Sequence, residues 1–253
     1  MVLFDDRTGV VLSTFDSHDT VGMGILKEIS GCLRGYAGVS LQDSPSCVIR
    51  RWDDDHREEA PECRNYVGTP KIFDHEILLE CELSSHANLA YQFAHEFCHH
   101  LINGRLDGLN HGGQKWFEEA LCYTCGIFFL RYFSESHPLP APQSTTPDLS
   151  FRYLHQYLQW STADLYQETL HDGFLRKWLP TLQDGSYHQQ LYRALGLRLS
   201  HVFWRQPGLW RIIALIGDST QWASIESLLF HLLSETVSPV RESVEEIRRI
   251  LLG

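Results

Sequence analysis

Leu89-Ala-Tyr-Gln-Phe-Ala-His95-Glu96-Phe97-Cys98-His99-His-Leu-Ile102 is the stretch from which the rest of the chain is read. Ala90, Phe93, Ala94, Phe97, Cys98 and Leu101 recur at helical spacing and make one apolar face. Ser84 or Ser85 suits the start of that helix, and Gly104 suits the residue after its end. Positions four apart on a helix point about 40° from each other. His95 and His99 therefore lie on one side, at the flank of the apolar face. Two neutral imidazoles at that spacing can hold one Zn²⁺. Glu96 projects beyond them, able to reach a metal-bound water without being a ligand. The chain has 14 His, and this composition gives a chance HExxH in roughly one chain in twenty. The motif alone is therefore a clue, and a third ligand downstream would strengthen it.

Such a ligand is available in Gly113-Gln-Lys-Trp116-Phe117-Glu118-Glu119-Ala120-Leu121-Cys122-Tyr123. Apolar residues run with helical breadth from Trp116 to Phe133, so Glu118 and Glu119 fall on a second helix. A two-His zinc site needs a third protein ligand and keeps one position open. A carboxylate from a neighbouring antiparallel helix can supply it.

HExxH, an interval of about twenty residues, and Trp116-x-x-Glu119-Ala120-Leu121 together resemble the gluzincins, the thermolysin-like metallopeptidases. The metzincin alternative needs Gly and His where this chain has Ile102 and Arg105. The gluzincin resemblance covers roughly residues 77–133. It implies a zinc-dependent peptidase with His95, His99 and Glu119 as metal ligands and Glu96 as general base. Glu118 then takes a polar position beside the ligand. The family's oxyanion donor is a Tyr or His several tens of residues later. Tyr187, His188 and Tyr192 are the candidates here, and Tyr192 is preferred. The family often places an Asp one turn after the Glu ligand, where this chain has Tyr123. The Gly-x-Met-Glu-Asn motif of one aminopeptidase family is missing, which tilts the expectation toward an endopeptidase or a peptidase of another, uncharacterised kind. The resemblance also makes Ile77 to Leu83 a strand at the lower edge of the cleft, to which a substrate chain can add.

The expected fold is α+β and zincin-like. Residues 1–104 form a mixed sheet with the HExxH helix. Residues 105–253 form a mainly helical lobe, with the second ligand helix at about 114–133 and a Pro-rich linker at 134–150. Within the first part, Arg7-Thr-Gly9 suggests a hairpin. A helix over about 18–33 is expected, capped by Asp16 or Ser17 and closed by Gly35. A strand spans 46–52, and Asp53 to Glu62 reads as a solvated loop. Three Gly and His111 lie in the connection before the second ligand helix, and that His reads as solvated. Beyond residue 150, helices are expected near 151–161, 163–171, 174–181, 186–203, 219–234 and 239–252.

With 253 residues at 43% hydrophobic, the chain can bury a sizeable core. A net charge of −11 argues against nucleic acid, whose phosphates need a basic surface. Neither a signal peptide nor a membrane-spanning run is read in the sequence. Seven Cys, an odd number, suggest reduced thiols and a cytoplasmic setting. Cys98 and the pair Cys122 and Cys125 read as core residues. A peptide or protein substrate is thus the expected partner. Two other readings stand beside this one: a non-catalytic zinc-binding interaction protein on the same fold, and a core His pair without metal.

Overall fold

Residues Trp116 to Leu130 are buried at every position. A helix that is apolar all round belongs inside a protein. This one carries weak helix formers such as Tyr123, Thr124 and Cys125, at roughly 0.5 kcal/mol each. Burying a single Phe or Leu side chain stabilises by about 1.5–3 kcal/mol. Packing, not propensity, therefore decides this segment. The structure, a computed structural model, describes residues 3–5, 10–12, 19–40, 46–51, 61–65, 74–103, 114–135, 149–183, 186–216 and 222–253.

In chain order, strands β1 (Leu3–Asp5) and β2 (Val10–Leu12) precede helix α1 (Thr20–Ala37). Strands β3 (Cys47–Arg51), β4 (Glu62–Asn65) and β5 (His75–Leu79) come after it. Helices α2 (His86–Asn103) and α3 (Lys115–Glu135) are next. Then come α4 (Leu149–Ser161), α5 (Ala163–Thr169), α6 (Phe174–Leu182) and α7 (Gln189–Arg205). A 3-10 turn (Pro207–Arg211) leads into α8 (Ile212–Ile216), α9 (Ile225–Glu235) and α10 (Val240–Leu252). The described residues are thus mainly helical with a small mixed sheet, an α+β arrangement. Among them, no helix is long and apolar enough to cross a membrane.

The sheet order is β1-β2-β3-β5-β4. β1 and β2 pair antiparallel as the hairpin reading expected, although Arg7-Thr-Gly9 lies outside the described residues. β2–β3 and β3–β5 are parallel, and β4 closes the sheet antiparallel to β5. One face carries Cys47, Ile49, Ile77 and Leu79 into the helical core. On the other face, buried Glu76 of β5 pairs with Arg50 of β3 at 2.9 Å and Arg64 of β4 at 3.1 Å. Those contacts tie three strands together.

This topology corrects the expected cleft edge. The strand before α2 is His75–Leu79, is buried throughout, and has a hydrogen-bonded neighbour on each side. It is interior, and among the described residues β4 is the edge. β4 begins at Glu62, the last residue of the stretch read as solvated; residues 52–60 lie outside the described residues. Glu62-Cys-Arg-Asn65 lacks the apolar alternation that marks a strand, because its order comes from pairing with β5.

α1 also sits later than expected. Asp19 caps it, accepting from the Val21 and Gly22 N–H groups at 3.0 and 2.8 Å. Gly38, at φ 69°, ends it rather than Gly35. Asp16 and Ser17 lie outside the described residues. Farther on, Ser224 starts α9 with a reciprocal cap on Ser227, so this helix begins six residues later than the pattern suggested. α3 packs most extensively against α7 and α2. Buried side chains from Ile25 to Leu251 form one contiguous cluster.

Candidate metal centre

Two helices bring the candidate ligands together. α2 carries His95 and His99 on one side, and α3 presents Glu119 opposite them. Gly126 lets the helices approach closely: a Cβ there would stand 2.7 Å from the Tyr91 ring and 2.9 Å from the Tyr91 carbonyl oxygen. His95, Glu96 and Glu119 are buried, and His99 is nearly so.

The Nε2 atoms of both imidazoles converge on one carboxylate. His95 Nε2 lies 3.7 Å from Glu119 Oε2, and His99 Nε2 lies 3.7 Å from Glu119 Oε1. That separation is too long for a hydrogen bond. It suits atoms that each sit about 2.0–2.2 Å from a shared zinc ion. All three ligand atoms lie within 4.8 Å of one another, so the residues present fit a metal ion.

Glu118 is not a bystander. Its Oε1 is 2.6 Å from His99 Nδ1 and accepts 3.0 Å from Asn103 Nδ2. A carboxylate on the far ring nitrogen fixes the tautomer and turns Nε2 toward the metal position. The chain thus has a carboxylate–His pair, supplied by Glu118 rather than from the position of Tyr123. Tyr123 packs its ring on His95 at 4.5 Å and joins its hydroxyl to that of Tyr187 at 2.7 Å. It steadies His95 by packing and gives that ring no carboxylate.

Glu96 stands beside the ligands, with Oε1 3.9 Å from His95 Nε2. Burial raises its pKa above the ordinary carboxylate value, against the opposing pull of His95 and His99. The Cys63 backbone N–H, on strand β4, faces this carboxylate and also opposes the rise. Burial would raise Glu119 too, but the His99 and His95 imidazoles hold its carboxyl well below the ordinary range.

The centre opens on a cleft of about 470 Å³. Pro61, Glu62 and Cys63 form one wall, and Asn103, Lys115 and Tyr187 line it elsewhere. Tyr187 is the candidate oxyanion donor that reaches the cleft. Tyr192 is buried, with its hydroxyl donating to Ser186 O at 3.4 Å, and it does not line the cleft. His188 takes the position that caps α7. Among the three, the geometry therefore favours Tyr187 over the preferred Tyr192. His111 lies outside the described residues. Cys98, Cys122 and Cys125 are fully buried in the core cluster, and none of the seven cysteines forms a disulfide.

No family model and no curated protein matches the chain. The reading of this centre rests on its own chemistry.

Proposed function

We propose that this protein is a zinc-dependent peptidase on a zincin-like fold, resembling the gluzincins. One observation carries the reading: two helix-borne Nε2 atoms converge on the two oxygens of Glu119, beside an unligated Glu96 at the floor of an open cleft. A zinc ion held by His95, His99 and Glu119 supplies a Lewis acid that lowers the pKa of water and polarises a carbonyl.

The remaining steps belong to side chains and backbone of this chain. A peptide lies along β4, whose outer edge has no strand beside it among the described residues, and adds to it by main-chain hydrogen bonds. Glu96 takes the proton of the attacking water at a carboxylate oxygen and passes it to the leaving amine. The Tyr187 hydroxyl donates to the developing oxyanion. Glu118 keeps His99 oriented throughout.

Hydrolysis of internally quenched peptides by zinc-loaded protein tests this. Wild type should turn over, and Glu96→Gln should keep its zinc and lose activity by about 10²-fold or more. Zinc-bound wild type without turnover would favour the interaction-protein reading. Equal turnover by Glu96→Gln would overturn the mechanism.

A further inference from the structure

Where α2 packs on the sheet, a second group of donors meets. His75 comes from β5, Cys63 from β4 and His100 from α2. The β4–β5 register pairs Cys63 with Ile77, so Cys63 and His75 are diagonal neighbours on one face of the sheet. That face looks into the core where α2 packs. His75 Nδ1 and His100 Nδ1 are 2.9 Å apart, with the rings nearly perpendicular and their centroids 5.0 Å apart. One potential ligand atom from each of the three residues lies within 4.8 Å of the others. Both imidazoles are buried, and Phe97 stacks against His100 at 5.2 Å.

We propose that Cys63, His75 and His100 form a second zinc site, separate from the His95–His99–Glu119 centre. The donor set argues for it. Thiol and imidazole ligands suit zinc and do not suit magnesium or calcium, which take oxygen. The three side chains come from three elements, so their convergence is not a by-product of one helix face. A plain hydrogen bond between the rings accounts for the two nitrogens but not for the thiol turned toward them. Cys47 stands opposite His75 in the β3–β5 register and is fully buried, which puts a further thiol on the same wall.

The consequence is structural. Bound zinc would tie β4 and β5 to α2 at the residue next to His99. Cys63 also lines the cleft beside Glu96. The second ion would therefore brace the wall against which Glu96 works. This inference uses no residue of the first centre and does not require peptidase activity.

X-ray absorption at the zinc edge on the full chain, loaded with Zn²⁺ and freed of excess, tests it. The first centre has no sulfur ligand, so any sulfur signal reports a different site. The expected result for wild type is about two zinc ions per chain, with sulfur at about 2.3 Å in the averaged shell. Cys63→Ser, at a half-buried edge position, should lose the sulfur signal and one zinc. Glu119→Ala should lose the other zinc and keep the sulfur. A wild-type shell of nitrogen and oxygen alone would overturn the proposal without depending on the folding of any variant. A sulfur signal that survives Cys63→Ser would overturn it as well. Sulfur-bound zinc in a protein without peptidase activity would leave this site standing and remove the proposed function.

Discussion

His99 is held by carboxylates at both ring nitrogens, and they do different work. Glu119 faces Nε2 at 3.7 Å, the spacing of a fellow ligand, whereas Glu118 meets Nδ1 at 2.6 Å, the spacing of a hydrogen bond. If His95, His99 and Glu119 hold zinc as proposed, removing Glu119 deletes a metal ligand, whereas removing Glu118 leaves the three ligands present and one of them loosely aimed. Glu118→Ala should weaken zinc binding by about 10–100-fold, and Glu119→Ala should weaken it further. Competition against a chromophoric chelator measures both, and a larger loss in Glu118→Ala would reverse the assigned roles. HExxH was legible in the sequence because helical spacing alone puts His95 and His99 on one side. The role of Glu118 was not, since it depends on which ring nitrogen faces α3. Tyr187 was a candidate in the sequence but could not be chosen over Tyr192, for a similar reason. It precedes α7, so no helical register specifies where it points, whereas Tyr192 lies inside α7 and faces the core.

At the scale of elements, the centre depends on how closely α2 and α3 approach. A methyl at Gly126 would press on both the ring and the backbone of Tyr91, and a helix backbone cannot yield as a flexible side chain can. Gly126→Ala should therefore destabilise by about 1–3 kcal/mol despite the better helix propensity of Ala, and should weaken zinc binding by moving Glu119 from the imidazoles. Gly31 is the internal control. It also lies within a helix, but a Cβ there meets nothing within 4 Å, so Gly31→Ala should stabilise by up to about 1 kcal/mol. Urea denaturation measures both; a neutral Gly126→Ala would mean that the helices are not held at this crossing. The edge strand gives a second expectation. A bound peptide inhibitor should slow hydrogen exchange at the amides of Glu62–Asn65. Protection elsewhere in the cleft with none in β4 would remove β4 as the substrate's partner. Periodicity found α2, α3 and most later helices because each buries a stripe or its whole surface. It missed β4, whose four residues are polar or half-buried and ordered only by their neighbour.

Across the whole molecule, the centre lies where the two halves of the chain meet. α2 belongs to the sheet-bearing half, α3 begins the helical half, and Tyr187 arrives from the segment before α7. One contiguous core joins them, from Ile25 on α1 to Leu251 on α10. Periodicity found most helices of both halves and the buried strands at 47–51 and 75–79, but it misplaced the edge of the sheet. It could not specify the wall of the cleft, where a strand, two helices and an irregular segment converge from distant parts of the chain. The claim that everything else depends on is that His95, His99 and Glu119 hold one metal ion. Anomalous diffraction at the zinc edge, from crystals grown with Zn²⁺, tests it most directly. The account predicts a peak about 2.0–2.2 Å from His95 Nε2, His99 Nε2 and a Glu119 oxygen, with Glu118 hydrogen-bonded to His99 and off the metal. No peak between α2 and α3, or a peak bonded through Glu118 in place of Glu119, would contradict it.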